Sequence, residues 1–161
     1  MNKKYLTLIS RIKDELSEIE QIVNRCQRAW ENNNISNDDL YLDSVALNLH
    51  GFYAGLERIF ELIANDIDQS LPSGESWHQS LSKQMSTEIE EIRPPVISKS
   101  TYNKLDDYRG FRHIVRNVYT VQLSKKRIKP LVEELPELFE NIKKEINQFI
   151  EFMKNNDDEK E

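Results

Sequence analysis

The stretch YRGFRHIVRNVY, residues 108–119, concentrates side chains that can bind anions and move protons. Arginine carries a permanent positive charge and a fork of donors that matches phosphate, whereas histidine changes its charge near neutral pH. The polar residues in question are Arg109, Arg112, His113, Arg116 and Asn117. Their types and spacing suit acid–base chemistry on a phosphate, a docking surface for an anionic partner, or an ordinary solvated helix face.

A helical arrangement would separate these polar residues from the apolar ones. At about 100° per residue, one face of the stretch holds Phe111, Ile114, Val115, Val118 and Val121. The opposite face holds Arg109, His113, Arg116 and Thr120, flanked by Arg112 and Tyr119 on one side and by Asn117 on the other. We therefore expect the arginine and histidine cluster to point away from the core. The positive neighbours of His113 should favour its neutral form, which is the form that accepts a proton.

The charge of the chain is unevenly distributed. The net charge is −6 at pH 7, yet residues 108–132 contain seven Lys or Arg and no acidic residue, which leaves −13 on the remainder. Because no carboxylate lies within this segment, we expect its arginines to lack the usual salt bridges between successive helical turns. A basic segment on an acidic chain predicts a local anionic partner.

Other sites of chemistry are weakly indicated. Three distant histidines and one cysteine do not form a zinc-binding pattern, and the glutamates do not form the paired Glu-x-x-His pattern of a di-iron bundle. We therefore expect no metal and no cofactor. Cys26 and His50 are expected to be packed side chains on helical stripes. His78 follows a Pro-Ser-Gly loop, and loops often carry function, although we expect its neighbour Trp77 to anchor the loop.

The elements that must position these residues are all predicted to be helical. Apolar residues recur at gaps of three and four, which predicts helices at about 4–31, 38–67, 77–85, 101–119 and 128–153. Ser73 or Ser76, and Ser98 or Ser100, are expected to cap helices, and Pro136 is expected to kink or split the last one. Gly51 and Gly55 would permit another helix to approach closely. The pattern indicates an all-α bundle of four main helices plus a short helix, as one domain over residues 1–154 with an acidic flexible tail at 155–161.

The sequence also carries expectations about location. It contains no apolar run of about 18 residues, the length that would predict a membrane-spanning helix. Its first residues meet charge again too soon for a signal peptide, and a single cysteine excludes an internal disulfide. We therefore expect a cytoplasmic protein that does not enter the membrane.

The stretch FRHIVRNVY, with HGFYAGLERIFELIA, LPSGESWH, RPPV and the final helix, resembles the HEPN superfamily and in particular its HepT-like toxin branch. Members are often metal-independent ribonucleases, whose signature is an Arg, four to six further residues and a His at a homodimer interface. HepT-type toxins add a Tyr two residues after the His. Arg112 and Tyr119 match this signature, whereas Asn117 stands at the position of the His.

The resemblance implies a HEPN-like bundle that cleaves RNA as the toxin of a toxin–antitoxin pair. Arg112 and Arg116 would stabilise the charged phosphorane, and His113 would act as general acid or base. An amide cannot act as a base at neutral pH, so Asn117 would orient His113 or bind the phosphate. The remaining RNA contacts are expected from Arg109, Lys125, Lys126 and Arg127.

The resemblance also implies partners and leaves one alternative open. It implies a homodimer and an antitoxin of the nucleotidyltransferase type, which can attach AMP to the signature tyrosine, here Tyr119. Asn117 also favours a second hypothesis, in which the chain is a non-catalytic HEPN-type binding module or the partner subunit of a nucleotidyltransferase.

Overall fold

A computed structural model of the chain describes residues 2–117 and 124–158, except for the side chains of residues 113–117 and 158. This part of the chain forms α1 (Lys3–Ser36), α2 (Leu40–Ile63), α3 (Trp77–Met85), α4 (Lys99–Asn117) and α5 (Lys125–Asp158). A π-helical turn, Ala64–Asp68, continues α2. The same residues contain an isolated bridge between Ile89 and Arg93 but no strand. The predicted all-α bundle of four main helices and a short one is confirmed.

The first helix is longer than its sequence predicts. The polar run that begins at Glu31 was expected to break it, but α1 continues to Ser36 and ends where Asn37 adopts a left-handed conformation, with φ of 56°. Asn33 is buried and donates its amide to the Asp38 carbonyl at 2.9 Å. These polar side chains therefore support the end of the helix rather than terminating it, and Asn tolerates the left-handed position that follows.

The second helix is the centre of the bundle, since it packs against each of the other four helices in the described part of the chain. Most of its apolar side chains are fully buried, among them Phe52, Tyr53, Leu56, Ile59, Phe60 and Ile63. Gly55 brings α1 close, because a Cβ atom at this position would lie 2.6 Å from Ile19 Cγ1. The close packing around α2 therefore holds the buried side chain of Glu57 in place.

A buried ion pair holds the segment between α3 and α4. Arg93 donates to both carboxylate oxygens of Asp68, at 2.5 and 2.7 Å, and both side chains are fully buried. The Arg93 guanidinium also donates to the carbonyls of Gln84, Thr87 and Pro94. Removing either partner would leave an uncompensated charge in the interior. Because Arg93 also donates to the Gln84 carbonyl in α3, this pair fixes the position of that helix.

The fourth helix is fastened to α5 at two levels. Ser98 caps α4 as predicted, since its Oγ accepts from the Thr101 N–H at 3.1 Å. Glu145 of α5 accepts from the Ser98 N–H at 3.0 Å and from the Thr101 hydroxyl at 2.8 Å. Further along α4, the buried Tyr108 hydroxyl donates to the Leu131 carbonyl at 2.7 Å. These contacts set the face that α4 turns toward α2.

Two other expectations about helix ends are corrected. The predicted split at Pro136 is wrong, because α5 runs without interruption through Pro130 and Pro136. It ends at Asp158, beyond the predicted limit of the last helix, and the buried Asp157 carboxylate accepts from the Asn2 N–H. Ser76 occupies the N-cap position of α3 but makes no side-chain capping bond.

In the described ranges, the structure contains no helix long and apolar enough to cross a membrane.

Candidate active site

Arg112 of α4 meets two polar side chains from other helices. Its Nη1 atom lies 3.3 Å from Nε2 and 3.4 Å from Nδ1 of His78, the second residue of α3. Its Nε atom lies 3.8 Å from Oε1 of Glu57, on α2. His78 Nδ1 in turn lies 2.5 Å from Oε2 of Glu57. We call these three residues, Glu57, His78 and Arg112, the triad.

The triad is largely enclosed but open on one side. The side chains of Glu57, His78 and Arg112 are 5%, 21% and 16% exposed. A carboxylate as buried as that of Glu57 is stable only if cations or donors compensate it, and both partners do so. The partial exposure of the imidazole and the guanidinium leaves both within reach of a ligand.

Two features hold the histidine in place. The ring of Trp77 packs partly against the core and lies over the His78 ring, with 3.6 Å between centroids and 31° between planes. Trp77 therefore anchors this end of α3, as expected from the sequence. Glu57 engages the Nδ1 side of the ring, which in the neutral imidazole assigns the proton to Nδ1 and the lone pair to Nε2.

Arg112 is incompletely satisfied by its neighbours. Its Nη1 atom is nearly equidistant from the two ring nitrogens of His78, so it is not aimed along the lone pair of either one. Its buried Nε atom has no hydrogen-bond acceptor, since Glu57 Oε1 at 3.8 Å is too far. The Nε atom is itself buried, so an anion could reach this guanidinium only through the exposed part of the Arg112 side chain.

Tyr53 lies beside the triad, one turn before Glu57 on α2. Burial raises the pKa of its phenol, the Glu57 carboxylate raises it further, and Arg109 and Arg112 oppose the rise. The hydroxyl therefore stays neutral at physiological pH, and it adds no charge to the group around Arg112.

Two arginines of α4, Arg109 and Arg112, lie near carboxylates in the described part of the chain. Arg109 donates to Asp106 at 2.7 and 3.0 Å, and the Arg109 side chain is 30% exposed. Arg112 turns inward to Glu57 instead of belonging to a solvated cluster. The expected lack of salt bridges between helical turns is therefore wrong for Arg109, whereas the carboxylate near Arg112 belongs to another helix. The helical wheel considered one helix alone, whereas the partner of Arg112 comes from α2.

The predicted RNA contacts of the last helix lie on the surface. Lys125, Lys126 and Arg127 form the exposed first turn of α5, and Lys125 Nζ lies 5.2 Å from the ring centroid of Trp30. Arg109 is the fourth predicted contact, and it is shared with Asp106.

Several predicted residues lie at or beyond the limit of the described side chains. The backbone of His113, Arg116 and Asn117 belongs to α4, but their side chains are outside the described part. Tyr119 lies outside the described residues altogether. The structure thus brings Arg112 together with Glu57 and His78 and leaves the geometry of the other predicted catalytic residues undescribed.

Glu57 and His78 are the residues that sequence reasoning did not assign to the site. A signal for Glu57 was present, since it lies four residues after Tyr53 and three before Phe60, on the core stripe of α2. A charged residue on such a stripe requires a buried partner. Across the described ranges, no group of three or more His, Cys, Asp or Glu could hold a metal ion.

Comparison with known proteins gives one result. A family model described as HepT-like protein matches residues 44–153, a range that contains Glu57, His78 and Arg112. No curated protein and no solved structure gives a match. Since the matched range is more than half of the chain and the fold is all-helical, the chain belongs to the HepT-like family.

Proposed function

We propose that this protein is a metal-independent endoribonuclease that acts as the toxin of a toxin–antitoxin pair in the cytoplasm. The observation that carries the proposal is the Arg112 guanidinium, which lies beside the His78 imidazole, both side chains being partly exposed. Membership of the HepT-like family supports the ribonuclease class. Arg112 also occupies the position of the arginine in the signature that this sequence resembles.

The reaction proceeds by attack of a ribose 2′-oxygen on the adjacent phosphorus. The new bond to the 2′-oxygen replaces the bond to the 5′-oxygen of the next nucleotide, so the products carry a 2′,3′-cyclic phosphate and a 5′-hydroxyl. Arg112 and Arg116 neutralise the charge that develops on the phosphorane. His113, which must start this step as the imidazolium, protonates the leaving 5′-oxygen, and Asn117 binds the phosphate or orients His113.

The RNA strand runs from the triad toward the exposed first turn of α5. Lys125, Lys126 and Arg127 supply three positive charges there, and a helix N-terminus adds a partial positive charge. Arg109 contributes less than these residues, because Asp106 already shares its charge. Binding through phosphates makes the affinity depend steeply on salt.

The protein acts as a homodimer, and its antitoxin is a nucleotidyltransferase. Pairing through α4 would bring the arginines of two copies to one composite site. The antitoxin attaches AMP to Tyr119, which adds an anionic phosphate near Arg112 and Arg116 and blocks RNA. Intact-mass measurement after co-expression with such an enzyme tests this step, since the adduct should disappear in Tyr119→Phe.

The catalytic proposal is tested by cleavage of a single-stranded RNA in the presence of EDTA. We expect the wild-type protein to cleave it, and we expect Arg112→Ala to lose activity on the order of 100-fold or more, as for loss of a group that stabilises transition-state charge. Arg58→Ala is the matched control, because Arg58 is half exposed on the same bundle and pairs only with Glu15 among the described residues. Activity that requires Mg²⁺, or that survives in Arg112→Ala, would refute the proposal.

A second function is supported by Asn117 at the signature position of the histidine. In that case the chain is a non-catalytic binding module, or a partner subunit of a nucleotidyltransferase. The same assay separates the two functions, because a binding module would retain RNA in a gel-shift experiment, lose affinity in Arg112→Ala, and produce no cleavage at any enzyme concentration.

A further inference from the structure

We infer that His78 is the general base of this ribonuclease and that Glu57 is its positioning residue. The inference rests on the proposed function and assigns the base to α3, outside the α4 motif in which the sequence suggested it. The position where the signature has a histidine is Asn117, which cannot accept a proton at neutral pH. The imidazole beside Arg112 supplies the missing group.

The geometry gives His78 one nitrogen for orientation and one for chemistry. Glu57 Oε2 lies 2.5 Å from Nδ1, so in the neutral imidazole Nδ1–H donates a hydrogen bond to the carboxylate and the Nε2 lone pair stays available. Nε2 lies 3.3 Å from Arg112 Nη1, which places the base beside the group that would hold the phosphate. A base must lie within hydrogen-bond reach of the proton it removes, and a phosphate bound by Arg112 would bring the 2′-hydroxyl there.

Glu57 is closer to the imidazole than to the guanidinium. Its second oxygen, Oε1, remains 3.8 Å from Arg112 Nε, which is beyond hydrogen-bond distance. The carboxylate is therefore committed to the ring, and the exposed part of the Arg112 side chain remains for the substrate. Glu57 thus has the place of a carboxylate that orients a catalytic histidine and stabilises the imidazolium that forms.

Among the described side chains, the charged and titratable groups around the ring come from α2 and α4. Glu57 faces it from α2, and Arg112 faces it from α4. On α3, its own neighbour Trp77 is uncharged and covers one face of the ring. Tyr53, one turn before Glu57, is kept neutral because burial raises its pKa. Glu57 and Arg112 are thus the charged groups that face the imidazole in the described part of the chain, and only Glu57 is a counter-charge to it.

The proton balance of the step is complete without a metal. The 2′-hydroxyl proton moves to Nε2 of His78 as the bond from the 2′-oxygen to phosphorus forms. The bond from phosphorus to the 5′-oxygen breaks, and that oxygen takes a proton from His113. Each histidine returns to its starting state by exchanging one proton with water after the products leave.

The test compares His78→Ala with Gln79→Ala, an exposed neighbour in the first turn of the same helix. We expect kcat to fall by about 10² to 10⁴ in His78→Ala, with little change in KM for RNA and with partial recovery on addition of free imidazole. Gln79→Ala should retain wild-type activity. Glu57→Gln should lower kcat less than His78→Ala, and should displace the acidic limb of the pH–rate profile, because the imidazolium loses its counter-charge.

The outcomes separate this inference from the proposed function. Wild-type cleavage that persists in His78→Ala refutes the role of His78 and leaves the ribonuclease intact. If circular dichroism and the melting temperature show that His78→Ala does not fold, the inference is tested with Glu57→Gln instead. An unchanged pH–rate profile in Glu57→Gln overturns the inference. A wild-type protein that cleaves no RNA overturns both proposals.

Discussion

Alanine substitutions at Gly51 and Gly55 should have different effects on stability. Both glycines lie inside α2, four residues apart, and face α1. A Cβ atom at position 51 would lie 3.6 Å from Ile22 Cδ1, which is an ordinary contact. At position 55 it would lie 2.6 Å from Ile19 Cγ1 and 3.1 Å from Cδ1. Ile19 is fully buried and β-branched, so its Cγ1 atom cannot move aside cheaply.

The magnitudes follow from two terms. Replacing glycine by alanine inside a helix stabilises it by about 0.8–1.0 kcal/mol, and this gain is common to both variants. Overpacking costs about 1–3 kcal/mol and applies only at position 55. The propensity terms cancel in the comparison, so Gly55→Ala should be less stable than Gly51→Ala by about 1–3 kcal/mol.

Thermal unfolding followed by circular dichroism measures this difference. For a chain of this size, each kcal/mol shifts Tm by about 2–4 °C. Gly51→Ala should melt above the wild type, and Gly55→Ala should melt well below Gly51→Ala. Equal melting temperatures for the two variants would show that α1 and α2 do not approach as closely as described. The backbone that carries Glu57 would then also be misplaced.

The remaining predictions concern the core and the surface. Asp68→Ala should cost about 3–5 kcal/mol in urea unfolding, since it leaves the buried Arg93 unpaired. Glu15→Ala, at the exposed pair with Arg58, should cost no more than about 1 kcal/mol. Similar losses for the two variants would contradict a buried ion pair between Arg93 and Asp68. Tyr108→Phe should cost about 1–3 kcal/mol, because the Leu131 carbonyl loses its donor, and a neutral result would mean that water replaces it. Burial raises the pKa of Cys26 from 9.0 to about 12, so the thiol ionises first in the unfolded chain, and the free energy of unfolding should fall as pH rises from 9 toward 12. Cys26→Ala should reduce this pH dependence, and an unchanged pH dependence would place the thiol in solvent. Each alanine substitution at Lys125, Lys126 or Arg127 should lower the slope of log affinity against log salt by about 0.7 for single-stranded RNA, and unchanged slopes would remove this turn from the RNA path.

The helices could be predicted because their signal is local. The period of apolar residues placed α3 at Trp77–Met85, as found, and Ser98 was one of two residues expected to cap α4. The end of α1 was misplaced, since Asn33 and Asn37 can stop a helix or support its last turn, and only the contact with Asp38 decides between them. Helix ends depend on such contacts, which the period does not contain.

The site was less predictable because it joins three helices. Arg112 was identified from the motif on α4, but its inward direction depends on Glu57, 55 positions earlier in the chain. His78 was noticed as a loop-end histidine, although its contacts with Glu57 and Arg112 exist only once α2, α3 and α4 pack together. A single sequence records residue types along one helix, whereas the partner of a buried charge is set by the packing of several.

The chemical ends of cleaved RNA test the central claim most directly. A defined single-stranded RNA should be incubated with the purified protein in EDTA, and its fragments should be analysed by mass spectrometry. We expect fragments that end in a 2′,3′-cyclic phosphate and begin with a 5′-hydroxyl, formed by the wild type and by Arg58→Ala but not by Arg112→Ala. Intact RNA with the wild type, or fragments that begin with a 5′-phosphate, would contradict the assignment of Arg112 and its neighbours as a metal-independent ribonuclease site.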